Sequence, residues 1–88
     1  MGSYRYLVRG RVQGVGYRYF ALKRAEQLEL AGFVRNMPDG SVEVIAEGPD
    51  AALAEFEKNL EQGPSFARVE AVERAPLEAR GDSGFHIR

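Results

Sequence analysis

The spacing of apolar residues along this chain switches from two to three-and-four and back again, twice, within 88 residues. From Tyr4 to Val12, the residues Tyr4, Tyr6, Val8 and Val12 alternate with Arg5, Arg9 and Arg11, which predicts a strand with one covered side. From Tyr17 onward, Tyr17, Phe20, Ala21, Ala25 and Leu28 recur at helical steps, so an amphipathic helix follows. The stretch GFVRNM predicts a second strand and SVEVIAEG a third. Pro38, Asp39 and Gly40 form the hairpin turn between them, Pro38 setting one dihedral and Gly40 supplying a positive φ. A second helix is expected with Pro49 before it and Asp50 as its cap. Ala52, Leu53, Phe56 and Leu60 line its buried face, and Gly63–Pro64 ends it. ARVEAVERA is a fourth strand, and FHIR closes the chain as a short one after the turn-rich EARGDSG.

The order is therefore βαββαβ plus a terminal strand, in a single domain spanning residues 1–88. The economical packing is one antiparallel sheet with two helices on one face. Right-handed crossovers make this the split βαβ, ferredoxin-like α+β sandwich. In that topology the first two strands run parallel, so the glycine-rich stretch after the first meets Asn36 at the end of the second. Met1–Ser3 read as a candidate leader, and the strand pattern is taken from Tyr4 onward.

Composition narrows the chemistry. The chain has no cysteine, which excludes disulfides, thiolate metal sites and cysteine nucleophiles. No apolar run approaches the length of a membrane span and no secretory signal is visible, so the expectation is a cytoplasmic protein without a membrane partner. The net charge of −1 hides an asymmetry. Residues 1–36 hold seven Lys or Arg against two Glu, whereas residues 37–88 hold five against eleven acids. A basic half beside an acidic half fits a small anion as partner, and it equally fits charges that pair across the fold.

The segment GRVQGVGYR, residues 10–18, places three glycines and two arginines between the first strand and the first helix. It lacks the Lys-Ser/Thr ending of a nucleotide-triphosphate loop and the third glycine of a dinucleotide fingerprint. What remains is a loop of amides leading into a helix N-terminus, with Arg18 in the first turn. Helix-start amides favour an anion, and a cation there is locally unfavourable unless something negative sits between. Arg18 reads as an oxyanion clamp on those grounds, or as a solvated helix arginine.

VRGRVQGVGYR and GFVRNMPDGSVEVIAEG, in this order and spacing, together resemble the two signature stretches of the acylphosphatase family, and the ending SGFHIR is similar to its C-termini. The likeness runs from about Tyr6 to Arg88. It implies hydrolysis of small-molecule acyl phosphates to a carboxylate and inorganic phosphate by a monomer without metal or cofactor and without a nucleic-acid partner. By that resemblance Arg18 binds the phosphoryl group, Asn36 holds the attacking water, and the amides of Gln13, Gly14, Val15, Gly16, Tyr17 and Arg18 complete the cradle. Three positions depart from the pattern. Tyr17 stands where Phe is usual, Phe33 where Trp is frequent, and Glu29 where Gly is common near the end of the first helix.

Other residues carry less chemistry. His86, the only histidine, alternates with Phe85 and Ile87 and reads as a surface strand residue. Asp39 reads as a local turn residue, and Glu55, Glu57 and Glu61 as the wet face of the second helix. Two alternatives compete with the enzyme: an RNA-binding sheet with Tyr4 and Tyr6 as stacking residues, and a catalytically idle relative that senses an anion or docks a larger protein. Against the first, SVEVIAEG has no aromatic residue and two glutamates.

Overall fold

The computed structural model describes residues 1–88. Its elements are β1 (Gly2–Arg11), α1 (Tyr17–Gln27), β2 (Ala31–Asn36), β3 (Val42–Gly48), α2 (Asp50–Gln62), β4 (Arg68–Pro76) and β5 (Phe85–Ile87). The strands form one sheet in the order β4-β1-β3-β2-β5. β3 runs antiparallel to both β1 and β2, so those two strands are parallel and end at the same rim. Met1–Ser3 do not stand outside the domain: Gly2 and Ser3 belong to β1, paired with Gly48 and Glu47, and Ser3 is buried.

The sheet is mixed, because β5 pairs in parallel with β2. The reason lies in the path from one sheet edge to the other. β4 ends opposite the beginning of β1, where Tyr4 faces Pro76. The chain then crosses the sheet at that end. Leu77 N–H donates to Ser3 O at 2.8 Å, and the amides of Arg80 and Gly81 donate to the Glu47 carboxylate at 2.9 and 3.1 Å. A chain arriving there enters β5 beside the start of β2 and runs the same way, toward the shared rim.

Both helices cover one face. Tyr6 and Val8 of β1, Val34 of β2 and Val42, Val44 and Ala46 of β3 meet Ala21 and Ala25 of α1 and Leu53, Phe56 and Leu60 of α2. Tyr6 is 1% exposed, and Tyr4 packs against the same core beneath the Arg74 guanidinium. Neither tyrosine is available on an open sheet face. Asp50 does not cap α2: Pro49 holds that position with no side-chain cap bond, and its extended backbone delivers Asp50 as the first helical residue. There the Asp50 carboxylate still complements the helix dipole, 3.6 Å from the terminal amine of Met1.

The other face carries an ion triad centred on a buried carboxylate. Glu43 of β3 is 6% exposed and accepts 2.6 Å hydrogen bonds from Arg5 Nε of β1 and Arg35 Nε of β2. Burial pushes its carboxyl pKa up, but the two arginine hydrogen bonds outweigh that, and the net shift is downward. Arg9 is held likewise by Glu73 and Asp39. Arg5, Arg9 and Arg35 of the basic first part thus pair with acids of the second part across the fold.

At the end of α1, Glu29 adopts φ 57°. Its N–H donates to Glu26 O at 3.1 Å and that of Leu30 to Ala25 O at 2.9 Å, the paired bonds of a Schellman turn. The left-handed residue in that turn is usually glycine. Glu29→Gly is therefore expected to stabilise the fold by about 0.5–1 kcal/mol, read as a rise of a few degrees in Tm. Glu43 makes a second prediction. Its lowered pKa favours the folded state above the unfolded value of about 4.3, and that stabilisation disappears as pH falls through the lower folded value. Below about pH 4.5, stability of the parent should fall more steeply with pH than that of Glu43→Gln, measured by urea unfolding across the acid range.

Candidate active site

The rim where β1 and β2 end is built around a loop with two left-handed glycines, Gly14 at φ 74° and Gly16 at φ 80°. A Cβ added at either would meet nothing within 4 Å. Backbone conformation, rather than crowding, calls for glycine at both, and the space beside them is open. Residues of this kind turn successive amide N–H groups toward one concave side. Gly16 also heads α1, with no side-chain cap and no acidic residue in the first turn. The first helical N–H with a main-chain partner across this junction is that of Phe20, bonded to Gly16 O at 3.0 Å. The amides of Tyr17, Arg18 and Tyr19 have no acceptor within the helix and face outward from its positive end.

Three contacts hold this loop in place. Val15 packs against the core. The Gln13 side chain reaches the hairpin after β2, where its Nε2 donates to Met37 O at 2.7 Å and to Ser41 O at 2.9 Å. Asp39 braces that hairpin by accepting from the N–H and hydroxyl of Ser41 at 3.0 and 2.6 Å, and these hydrogen bonds lower its pKa. The third contact is Tyr17, whose hydroxyl donates 2.6 Å to Leu60 O, one of the carbonyls left open at the end of α2. Burial pushes the Tyr17 phenol well above its ordinary range, so it remains a donor. The departure from Phe at this position therefore ties the start of α1 to the end of α2.

Between loop and strand lies a cleft of about 230 Å³. Gly14, Gly16, Arg18 and Asn36 line it, with Val12, Tyr17, Tyr19 and Ile87 as walls. Arg18 is exposed and forms no ion pair, whereas Arg5, Arg9 and Arg35 are all paired. Asn36 ends β2 on the helix-covered side, in step with Val34, and its Oδ1 is buried without a hydrogen-bond partner. An orphaned acceptor of this kind costs about 1–3 kcal/mol unless a ligand or water supplies the donor.

Topology thus brings Arg18, Asn36, Gly14, Gly16 and Tyr17 together, as the sequence predicted, while the Gln13 and Val15 side chains position the loop and stay out of the cleft. His86 lies outside it, its Nε2 2.9 Å from Ser83 O. Ile87 and Tyr19 escaped the sequence reading. The helical step from Tyr19 to the loop was a usable signal for the second, but Ile87 depends on the parallel pairing of β5. No group of three or more His, Cys, Asp or Glu side chains converges anywhere in the chain. The cleft can seat a small anion on amides and a guanidinium, beside an amide side chain that can orient water and cannot take its proton.

Tyr17→Phe should leave this cleft chemically intact but strand the Leu60 carbonyl. The expected loss is about 1–2 kcal/mol of stability, several degrees in Tm, with phosphate affinity unchanged. Thermal unfolding with and without phosphate checks both parts, and an unchanged Tm would mean that water replaces the hydroxyl.

Comparison with known proteins agrees with this geometry. The acylphosphatase family model matches residues 4–87. A Thermus thermophilus protein named acylphosphatase is 59% identical over 81 residues, covering 92% of each chain. The crystal structure of acylphosphatase from Bacillus subtilis superposes with a TM-score of 0.97 at 42% identity, covering 100% of this chain and 99% of that one. An acylphosphatase structure from Coxiella burnetii gives 0.95 at 33% identity over 99% of this chain and 92% of that one. With the family model spanning nearly the whole chain and relatives this similar at full length, the chain belongs to the acylphosphatase family.

Proposed function

We propose that the loop amides from Gln13 to Arg18 and the Arg18 guanidinium hold the phosphoryl group of an acyl phosphate, and that Asn36 orients the water that attacks it. The observation that carries this reading is the buried, unpartnered Oδ1 of Asn36 in the same cleft as an arginine without an ion pair. Asn36 Oδ1 accepts a hydrogen bond from the water and aligns an oxygen lone pair with phosphorus. The new P–O bond forms as the bond from phosphorus to the acyl oxygen breaks. The leaving carboxylate has a conjugate acid of pKa about 4 and needs no proton from the protein. The water's proton passes to a phosphoryl oxygen, and the products are a carboxylate and inorganic phosphate. Positioning and charge stabilisation supply the catalysis, as is usual in phosphoryl transfer.

The protein acts in this reading on a small molecule, as a cytoplasmic monomer. A nucleic-acid module would need stacking rings on an open sheet face. Here Tyr6 is in the core and Tyr4 lies under Arg74, which supports the small-molecule reading.

Arg18→Lys should lose most activity, since an ammonium cannot bond two phosphoryl oxygens in the fork geometry. Asn36→Ala should lower kcat by about 10²–10³ and leave the phosphate inhibition constant nearly unchanged. Asn36→Asp should also fail, because a carboxylate beside the phosphoryl oxygens repels them. Steady-state kinetics with benzoyl phosphate, and competition by inorganic phosphate, measure each. Full activity in Asn36→Asp would replace water orientation by base catalysis, and equal loss of rate and affinity in Asn36→Ala would make Asn36 a binding residue.

A further inference from the structure

The cleft is smaller than the roughly 300–1,000 Å³ of sites that engulf a whole organic ligand, so an acyl phosphate seated there leaves its acyl portion outside. A second hollow, of about 370 Å³, begins where the cleft ends and shares Gly16 and Tyr19 with it. It runs along α1 past Phe20, Lys23 and Arg24, with Pro64 on the opposite side. These α1 positions follow one another at steps of three and four, so they form a single stripe leading away from the anion cradle.

Two cations reach back along that stripe. Side chains on a helix lean toward its N-terminus. Accordingly Lys23 Nζ lies 5.8 Å from the ring centre of Tyr19, and Arg24 Cζ lies 5.2 Å from that of Phe20. The rings hold both charges about one turn from the cradle, or some 6 Å along the axis. Lys23 is partly offset by Glu26 at 3.7 Å. Arg24 has only the neutral Gln27 amide, at 3.3 Å, and no carboxylate partner. Its charge faces the hollow uncompensated.

We propose that this hollow receives the acyl portion of the substrate and selects acyl phosphates bearing a second anionic group, with Arg24 as its main anchor and Lys23 as a supplement. The proposal rests on the reading of the adjacent cleft as the phosphoryl site. It assigns specificity to α1, where the first turn handles the reacting phosphorus and the second handles the remote charge. The rings of Tyr19 and Phe20 serve two purposes, fixing the cations and offering an apolar floor to the carbon skeleton.

The test compares benzoyl phosphate with 4-carboxybenzoyl phosphate, which differ by one remote carboxylate, on the parent chain, Arg24→Gln and Lys23→Gln/Arg24→Gln. All substituted positions are exposed and outside the cleft. The parent should favour the carboxylated substrate roughly fivefold in kcat/KM at low ionic strength, mainly through KM, and salt should erode the preference. Arg24→Gln should remove most of it and the double variant all of it. Benzoyl phosphate and inorganic phosphate feel the same two charges only from about one turn away, so both should weaken together and by less than the carboxylated substrate. No preference in the parent, or an equal preference in the double variant, overturns the assignment. Failure of the phosphoryl-site reading would look different: benzoyl phosphate turnover would be indifferent to Arg18→Lys and to added phosphate.

Discussion

β3 forms antiparallel ladders with both β1 and β2, and the position of the candidate active site follows from that double pairing. It makes β1 and β2 parallel, so two segments distant in sequence finish at one rim. The glycine loop leaves β1 there and Asn36 ends β2 there. Without a shared central strand, an arginine at the head of α1 and an asparagine eighteen positions later would have no reason to meet. The Gln13 side chain then sets the remaining freedom, since its bonds to Met37 O and Ser41 O join the loop to the hairpin that follows Asn36.

The same strand organises the charge. Glu43 stands between Arg5 and Arg35 and takes one hydrogen bond from each, so two basic residues of the first 36 are satisfied on the open face. Arg9 is satisfied by Glu73 and Asp39. Arg18 is left without a carboxylate, at the positive end of a helix whose first turn has no acid. A cation in that setting is destabilised by the helix dipole until an anion intervenes. The paired residues cross-link the strands, and the unpaired one is the residue proposed to clamp the anion.

Left-handed glycines and an unmet acceptor meet at the same rim. Gly14 and Gly16 hold left-handed conformations with open space beside them, and Asn36 buries an acceptor without a donor. The orphaned acceptor is a loss for the isolated fold, and the proposed reading gives it a use in holding water beside an oxyanion seated on the loop. Rigidity is supplied from below by the Tyr17 hydroxyl on Leu60 O and by Phe56 packed edge-on against Tyr6 and Phe85. In the proposed mechanism such a site would work by preorganisation, its amides and guanidinium needing little rearrangement as charge builds on the phosphoryl oxygens.

What the sequence determined by itself was local. Alternation and helical recurrence placed all seven elements and Gly40 marked a positive-φ turn, because those outcomes depend on neighbours a few positions away, whereas the left-handed position of Glu29 was signalled by the family pattern. Arg18 and Asn36 were legible too, through two signature stretches and a topology with few alternatives. Tertiary structure alone decided what depends on register and on the path of the chain across the sheet. The Glu43 triad exists because Arg35 faces Glu43 directly while Arg5 reaches it from β1. Ile87 lines the cleft because the chain crosses at the far end of the sheet and can enter β5 only parallel to β2. Asp50 lost the capping role its residue type favoured, because the extended backbone of Pro49 carried it one position into the helix. In each case the deciding partner lies on another strand or is set by the backbone entering the element, and residue spacing records neither.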